Sequence, residues 1–188
     1  MKKIIEVGIK ANTYREKRNF SDLAVEGYRF KKVIDFYKFP AYFYFKLFKK
    51  THPRWLNLFW RPFFKKSHIY HFFNAINCGN QPWVTTMESY LPRGAHVYGL
   101  FPSESKYICY SVERVAHRSC KKLIAISEWA RSTHISYMKS FPNQIDEHMK
   151  KIVVWHPPQK LLIQKMSDKP INKKLTFLMV GADFFRKG

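Results

Sequence analysis

Five short apolar runs dictate most of what this chain can fold into. They are 67–75 (SHIYHFFNA), 83–87 (WVTTM), 122–126 (KLIAI), 151–155 (KIVVW) and 175–180 (LTFLMV). Asn, Gly, Ser or Pro follows closely after four of them, and Glu88 ends the second. Their length, their β-branched and aromatic residues and the turn residues around them suit strands. Continuous apolar runs such as KLIAI suit strands covered on both faces. Segments with helical spacing lie between them. Over 103–119, Ile108, Val112, Val115 and Ala116 fall on one face, and Ser103 can cap the start. Ser127 is placed as a second N-cap, with Glu128 favourable to the helix dipole, and that helix runs to about Ser140, before Pro142. Strands alternating with helices imply an α/β fold, a Rossmann-like parallel sheet flanked by helices. Ligands in such sheets bind beyond the carboxyl ends of the strands. The candidate positions are therefore 74–80, 88–93, 127–129, 156–158 and 181–187.

Charge narrows the partners. Lys and Arg number 34 against 13 Asp and Glu, a formal net charge of +21, while 46% of the residues are hydrophobic. A core can therefore form, and the partner is acidic: nucleic acid, an anionic lipid surface or a phosphorylated ligand. Residues 36–87 hold no acid, and 16 aromatic side chains lie in 36–73 among eight Lys and Arg. Three readings of 36–73 stay open: a core helix pair with snorkelling lysines, a membrane-interface element, or a nucleic-acid surface on which bases stack. Pro40, Pro53 and Pro62 exclude one long amphipathic helix. No apolar run reaches the ~18–20 residues that span a bilayer. The stretch after Met1-Lys2-Lys3 is too short for a secretory signal and is interrupted by Glu6. The expected location is cytoplasmic, soluble or peripheral on the inner membrane face. Cys78, Cys109 and Cys120 make neither a CxxC pair nor an even framework.

No phosphate loop, GxGxxG, HExxH or nucleic-acid-binding signature occurs in the sequence. His68 and His71 are three apart, a spacing that splays them on a strand, so no metal site is expected there. Glu88 ends a strand and can act as a base, orient a sugar hydroxyl or pair with Arg93. Ser127 lacks a GxSxG context and reads as a cap whose helix amides can bind an anion. His156 follows a strand and reads as a hydrogen-bonded structural histidine. In the C-terminal string GADFFRKG, glycines allow close backbone approach, and Arg186 with Lys187 suits a diphosphate.

Three stretches together resemble retaining glycosyltransferases of the family-four type, which have the two-domain GT-B architecture. They are 71–93 (HFFNAINCGNQPWVTTMESYLPR), 120–131 (CKKLIAISEWAR), and 151–159 with 175–188 (KIVVWHPPQ and LTFLMVGADFFRKG). Composition sets apart a basic, aromatic-rich segment at 1–66, and the polar stretch 164–174 reads as a linker; the resemblance implies an acceptor-side domain core at 67–163 and the start of a donor-binding domain at 175–188. It implies a nucleotide-diphosphate-sugar donor and a lipid-linked or saccharide acceptor from envelope or polysaccharide assembly. No metal and no cofactor beyond that donor substrate is implied. Gly181, Arg186 and Lys187 would contact the donor diphosphate. Glu88 would be the catalytic candidate, and Asn74, Arg93 and Ser127 would bind the acceptor or an anion. The family's second domain and its acidic motif are not found in 1–188, so the expectation is a truncated enzyme, inactive alone. The alternative is a basic nucleic-acid-binding protein without enzyme activity.

Overall fold

The computed structural model describes residues 4–10, 17, 25–49, 57–61, 67–93 and 105–157. The chain separates into two units, Met1–Pro158 and Gln159–Gly188, and every described residue lies in the first. The expected linker 164–174, the strand expected at 175–180, and Gly181, Arg186 and Lys187 fall outside the described residues.

The strands in chain order are β1 (Ile5–Ile9), β2 (Tyr28–Lys32), β3 (Leu58–Phe59), β4 (Ile69–Phe73), β5 (Ile76–Asn77), β6 (Trp83–Met87), β7 (Cys120–Ala125) and β8 (Ile152–Val154). The helices are α1 (Lys38–Phe48), α2 (Lys106–Ala116), α3 (Glu128–Met138) and α4 (Pro142–Lys151). Six strands form one sheet in the order β2-β1-β4-β6-β7-β8, and every neighbouring pair is parallel. β3 and β5 form a separate parallel pair. This is an α/β fold, a parallel sheet flanked by helices, as the alternation of apolar runs implies. The chain steps from β1 outward to β2, returns to β4 on the other side of β1, and continues outward. Strand order therefore reverses between β1 and β4, the switch point beside which doubly wound sheets form their ligand crevice.

The helices α2, α3 and α4 pack on β7, on the face that buries Leu123 and Ala125. The core beneath is aromatic. Phe72 lies 4.7 Å from Phe59 and 6.3 Å from Trp83 between ring centroids. Trp83 is wholly buried, and its indole N–H donates to Ser119 Oγ at 3.2 Å. The α2 face that packs inward carries Ile108, Ser111, Val112 and Val115. Ser105 occupies the N-cap position without a side-chain cap bond, and Ser103, the expected cap, is not among the described residues. The Lys151 ammonium donates to the carbonyls of Val115, Ala116 and His117, closing the C-terminus of α2 from the end of α4.

Three features differ from the sequence reading. The boundary expected at residue 66 falls within one sheet, because β1 and β2 pair alongside β4. Residues 142–150, which carried no expectation, form α4 together with Lys151, expected to open a strand, and Pro142 lies in the first turn, where a missing N–H is tolerated. A core helix was one of the three readings left open for 36–73, but the described helix at 38–48 buries none of its residues. Pro40 does not break it, again because it sits in the first turn.

Gly8 lies under the Tyr70 ring. A Cβ there would sit 2.6 Å from Tyr70 Cε1 and 2.8 Å from Ser67 Oγ. Tyr70 is buried in the core and has little freedom to retreat. Gly8→Ala is expected to destabilise the fold by about 1–3 kcal/mol, read as a lower urea midpoint at unchanged m-value.

Candidate functional site at the carboxyl edge of the sheet

All six strands run the same way, so their carboxyl ends share one edge. Asn74 follows β4 with a positive φ of 52°, a backbone state that asparagine tolerates better than most residues. Its amide N–H donates to Thr86 O at 2.8 Å. Its side chain then grips the residue after the neighbouring strand on two sides. Asn74 Oδ1 accepts the Glu88 backbone N–H at 3.2 Å, and Nδ2 donates to Glu88 Oε2 at 3.3 Å. Arg93 Nη1 meets the same Oε2 at 2.8 Å.

The 88–93 loop is fastened at its far end too. Asn57 Nδ2 donates to Arg93 O at 2.9 Å, and Asn57 Oδ1 accepts the Arg93 N–H at 3.1 Å. The Leu91–Pro92 peptide is cis, and Leu91 N–H donates to His134 Nδ1 at 3.3 Å. Two asparagine clamps and one histidine thus hold a short loop whose Glu88 and Arg93 side chains remain 33% and 43% exposed. The arrangement offers a fixed carboxylate beside a fixed guanidinium, open to solvent.

His134 begins a buried relay. Because Leu91 N–H donates to its Nδ1, His134 carries its proton on Nε2. That proton goes to His148 Nδ1 at 3.0 Å, and His148 Nε2–H goes to Val112 O at 3.0 Å. The loop, α3, α4 and α2 are joined by one directional chain of neutral imidazoles. Burial pushes His134 down to about 3, aided by the neighbouring His148, and burial pushes His148 down to about 4.

The other sequence candidates take structural parts. Ser127 Oγ accepts Ala130 N–H at 3.1 Å and caps α3. His156 Nδ1 lies 3.1 Å from Ile126 O. The 77–79 turn is held by Arg114, which donates to the carbonyls of Asn77 and Gly79. The structure thus joins Asn74, Glu88 and Arg93 into one cluster and gives Ser127 to a helix cap. Among the described residues no group of three or more His, Cys, Asp and Glu could hold a metal.

Sequence reasoning missed two features. Lys10 after β1 and Asp35 after β2 form a buried ion pair at 3.0 Å on the same edge. Asp35 Oδ1 also accepts the N–H groups of Tyr37 and Trp60 at 3.1 and 3.2 Å. The second is a cavity of about 430 Å³ on the sheet face opposite α2–α4, lined by apolar residues including Val7, Ile69, Val84 and Ile124. His71 Nε2 lies 2.9 Å from Thr86 Oγ1 within that lining, and burial pushes His71 down to about 4. His68 sits just before β4, where its Nδ1 accepts the Glu6 N–H at 3.0 Å. The signal for the cavity was the half-buried alternation of β4 and β7, which is visible only once the strands are in register.

No family model matches the chain, and no curated protein and no solved structure matches it either.

Proposed function

We propose that this chain is the acceptor-side part of a glycosyltransferase of the two-domain, retaining type, taking a nucleotide-diphosphate-sugar as donor and a saccharide or lipid-linked acceptor. The observation that carries the reading is the Glu88 carboxylate, held through Oε2 by Asn74 and Arg93 at the carboxyl edge of the parallel sheet. Both fixed partners engage Oε2, so Oε1 is the oxygen that accepts a ligand hydroxyl. The adjacent guanidinium donates to a second oxygen of the same ligand. A carboxylate and a guanidinium at fixed spacing suit a polyhydroxylated molecule. Asn74 is a positioning residue for Glu88 in this reading, while Arg93 both holds Glu88 and contacts the ligand. Gly181, Arg186 and Lys187 are assigned to the donor diphosphate on the family resemblance.

The test is calorimetric titration of the full chain with nucleotide-sugars and, separately, with oligosaccharides. Arg186→Ala with Lys187→Ala should weaken nucleotide-sugar binding by roughly 10- to 100-fold, the loss of two charge-assisted contacts. Glu88→Gln should weaken saccharide binding about tenfold and leave nucleotide-sugar binding unchanged. A chain that binds no nucleotide-sugar but binds duplex DNA with steep salt dependence would replace this reading with that of a nucleic-acid-binding protein.

A further inference from the structure

Helix α1 combines two properties that water does not favour together. It is apolar around most of its circumference, and none of its residues is buried. Phe43 and Leu47 are 63% and 76% exposed, and Phe39, Tyr42, Phe45 and Phe48 are exposed as well. Trp60, which packs edge-on against Phe36 at 6.0 Å, adds another exposed aromatic beside the start of the helix. A helix apolar nearly all round ordinarily lies in a core or in lipid.

The lysines are not scattered. At about 100° per residue, Lys38 and Lys46 lie about 80° apart with Tyr42 between them, and Lys49 follows at the C-cap. The rest of the circumference, through Phe39, Phe43, Leu47 and Phe48, is apolar. Lys31 and Lys32 at the end of β2 are exposed nearby in sequence. Residues 36–87 contain no acid, and Asp35 is buried against Lys10. An anionic surface approaching α1 therefore meets cations and no fixed carboxylate from this stretch. A protein partner fits less well, since protein interfaces are depleted in lysine. Aromatic rings with flanking lysines are what the headgroup region of an anionic bilayer accepts.

The mounting is rigid. Asp35 receives Lys10 and the amides of Tyr37 and Trp60, and Phe36 N–H donates to Trp60 O at 2.8 Å. These bonds fix where the helix leaves β2, at the carboxyl edge of the sheet.

We infer that α1 is a docking element for anionic lipid, inserting Phe39, Phe43 and Leu47 at headgroup depth while Lys38, Lys46 and Lys49 bind lipid phosphates. Docking brings the carboxyl edge, with Glu88 and Arg93, toward the lipid surface. The inference stands apart from the sugar-transfer reading, because vesicle binding and sugar binding are measured separately.

The experiment is flotation of the full chain with vesicles of phosphatidylcholine alone and of phosphatidylcholine with phosphatidylglycerol. The chain should float with the anionic vesicles only, and less so as salt rises. Lys38→Gln, Lys46→Gln and Lys49→Gln together should weaken binding on the order of 100-fold, at about fivefold per lysine. Phe43→Ser with Leu47→Ser should abolish flotation at unchanged charge. These side chains are exposed, so both variants should keep the wild-type urea midpoint. Phe43→Trp supplies a second readout, the emission it adds over the five native tryptophans shifting to the blue on anionic vesicles by comparison with the wild-type chain. Flotation unchanged in both variants, or no shift from Phe43→Trp, overturns the inference. So does a dimer that needs Phe43 and Leu47 and forms in place of vesicle binding, or salt-sensitive DNA binding in its stead.

Discussion

Between pH 7 and pH 5 the fold should lose on the order of 6 kcal/mol of stability, about 2 kcal/mol for each of three imidazoles, the buried His134 and His148 and the half-buried His71. His134 is held down to about 3, and His148 and His71 to about 4, in each case first by burial. In the unfolded chain each titrates near the ordinary 6.5. A folded value below the unfolded one means that the unfolded state binds protons first as pH falls. The stabilising contribution is therefore complete above about pH 6.5 and drains away as pH drops toward 4. Below the folded values both states are protonated and the loss stops growing. Domains of this size hold roughly 5–15 kcal/mol in all, so acid unfolding is expected to set in near pH 5. Urea denaturation at pH 7, 6 and 5 measures it directly. Replacing the relay with His134→Leu and His148→Leu should remove about two-thirds of the pH-dependent loss, because two of the three proton acceptors are gone. A profile flat from pH 7 to 5 would show that these imidazoles are not held neutral in the folded state.

Asp35→Ala should destabilise the fold by about 3–5 kcal/mol. Asp35 is 1% exposed and its Lys10 partner only 16%. Truncation removes a carboxylate held by a mostly buried ammonium and the acceptor for the Tyr37 and Trp60 amides. Asp35→Asn keeps an oxygen for those two amides and should lose less. Lys10→Met combined with Asp35→Asn should recover part of the loss, since no uncompensated charge then remains. Chemical denaturation of the three variants at pH 7 separates these contributions. A loss below about 1 kcal/mol for Asp35→Ala would mean that water reaches Lys10 freely. The same carboxylate sets the exit of α1, so its removal should also weaken vesicle flotation.

Strong local patterns were legible. The run 83–87 is β6 residue for residue, and β4, β7 and β8 lie within their expected runs or two residues of them. Ser127 caps α3 as its hydroxyl and the following Glu128 suggest. Weak patterns were not. β2 reads Tyr-Arg-Phe-Lys-Lys, an edge strand in which only Phe30 is even partly covered, so it carries almost no apolar signal. β1 alternates, but Glu6 and Gly8 dilute it. α4 rests its packing on His148, a residue that no apolar periodicity counts.

The candidate site divides in the same way. Glu88 and Arg93 were legible as a strand end followed by a nearby cation. Asn57 was not, because its worth lies in meeting Arg93, 36 positions away, and Asn74 was legible as a candidate position but not as the partner of Glu88, 14 positions away. The aromatic, acid-free stretch at 36–73 left its partner open, since lysines beside phenylalanines suit a core edge as well as a lipid surface.

What the sequence determined by itself was class: short apolar runs alternating with helical spacing admit a parallel sheet flanked by helices. That follows because periodicity and β-branching act within a few residues of one another. Strand order, the switch point between β1 and β4, the His134–His148 relay, the Lys10–Asp35 pair and the exposure of the apolar side chains of α1 were decided by the tertiary structure alone. Each depends on which distant surfaces exclude water together, and burial of that kind has no local signature in the chain.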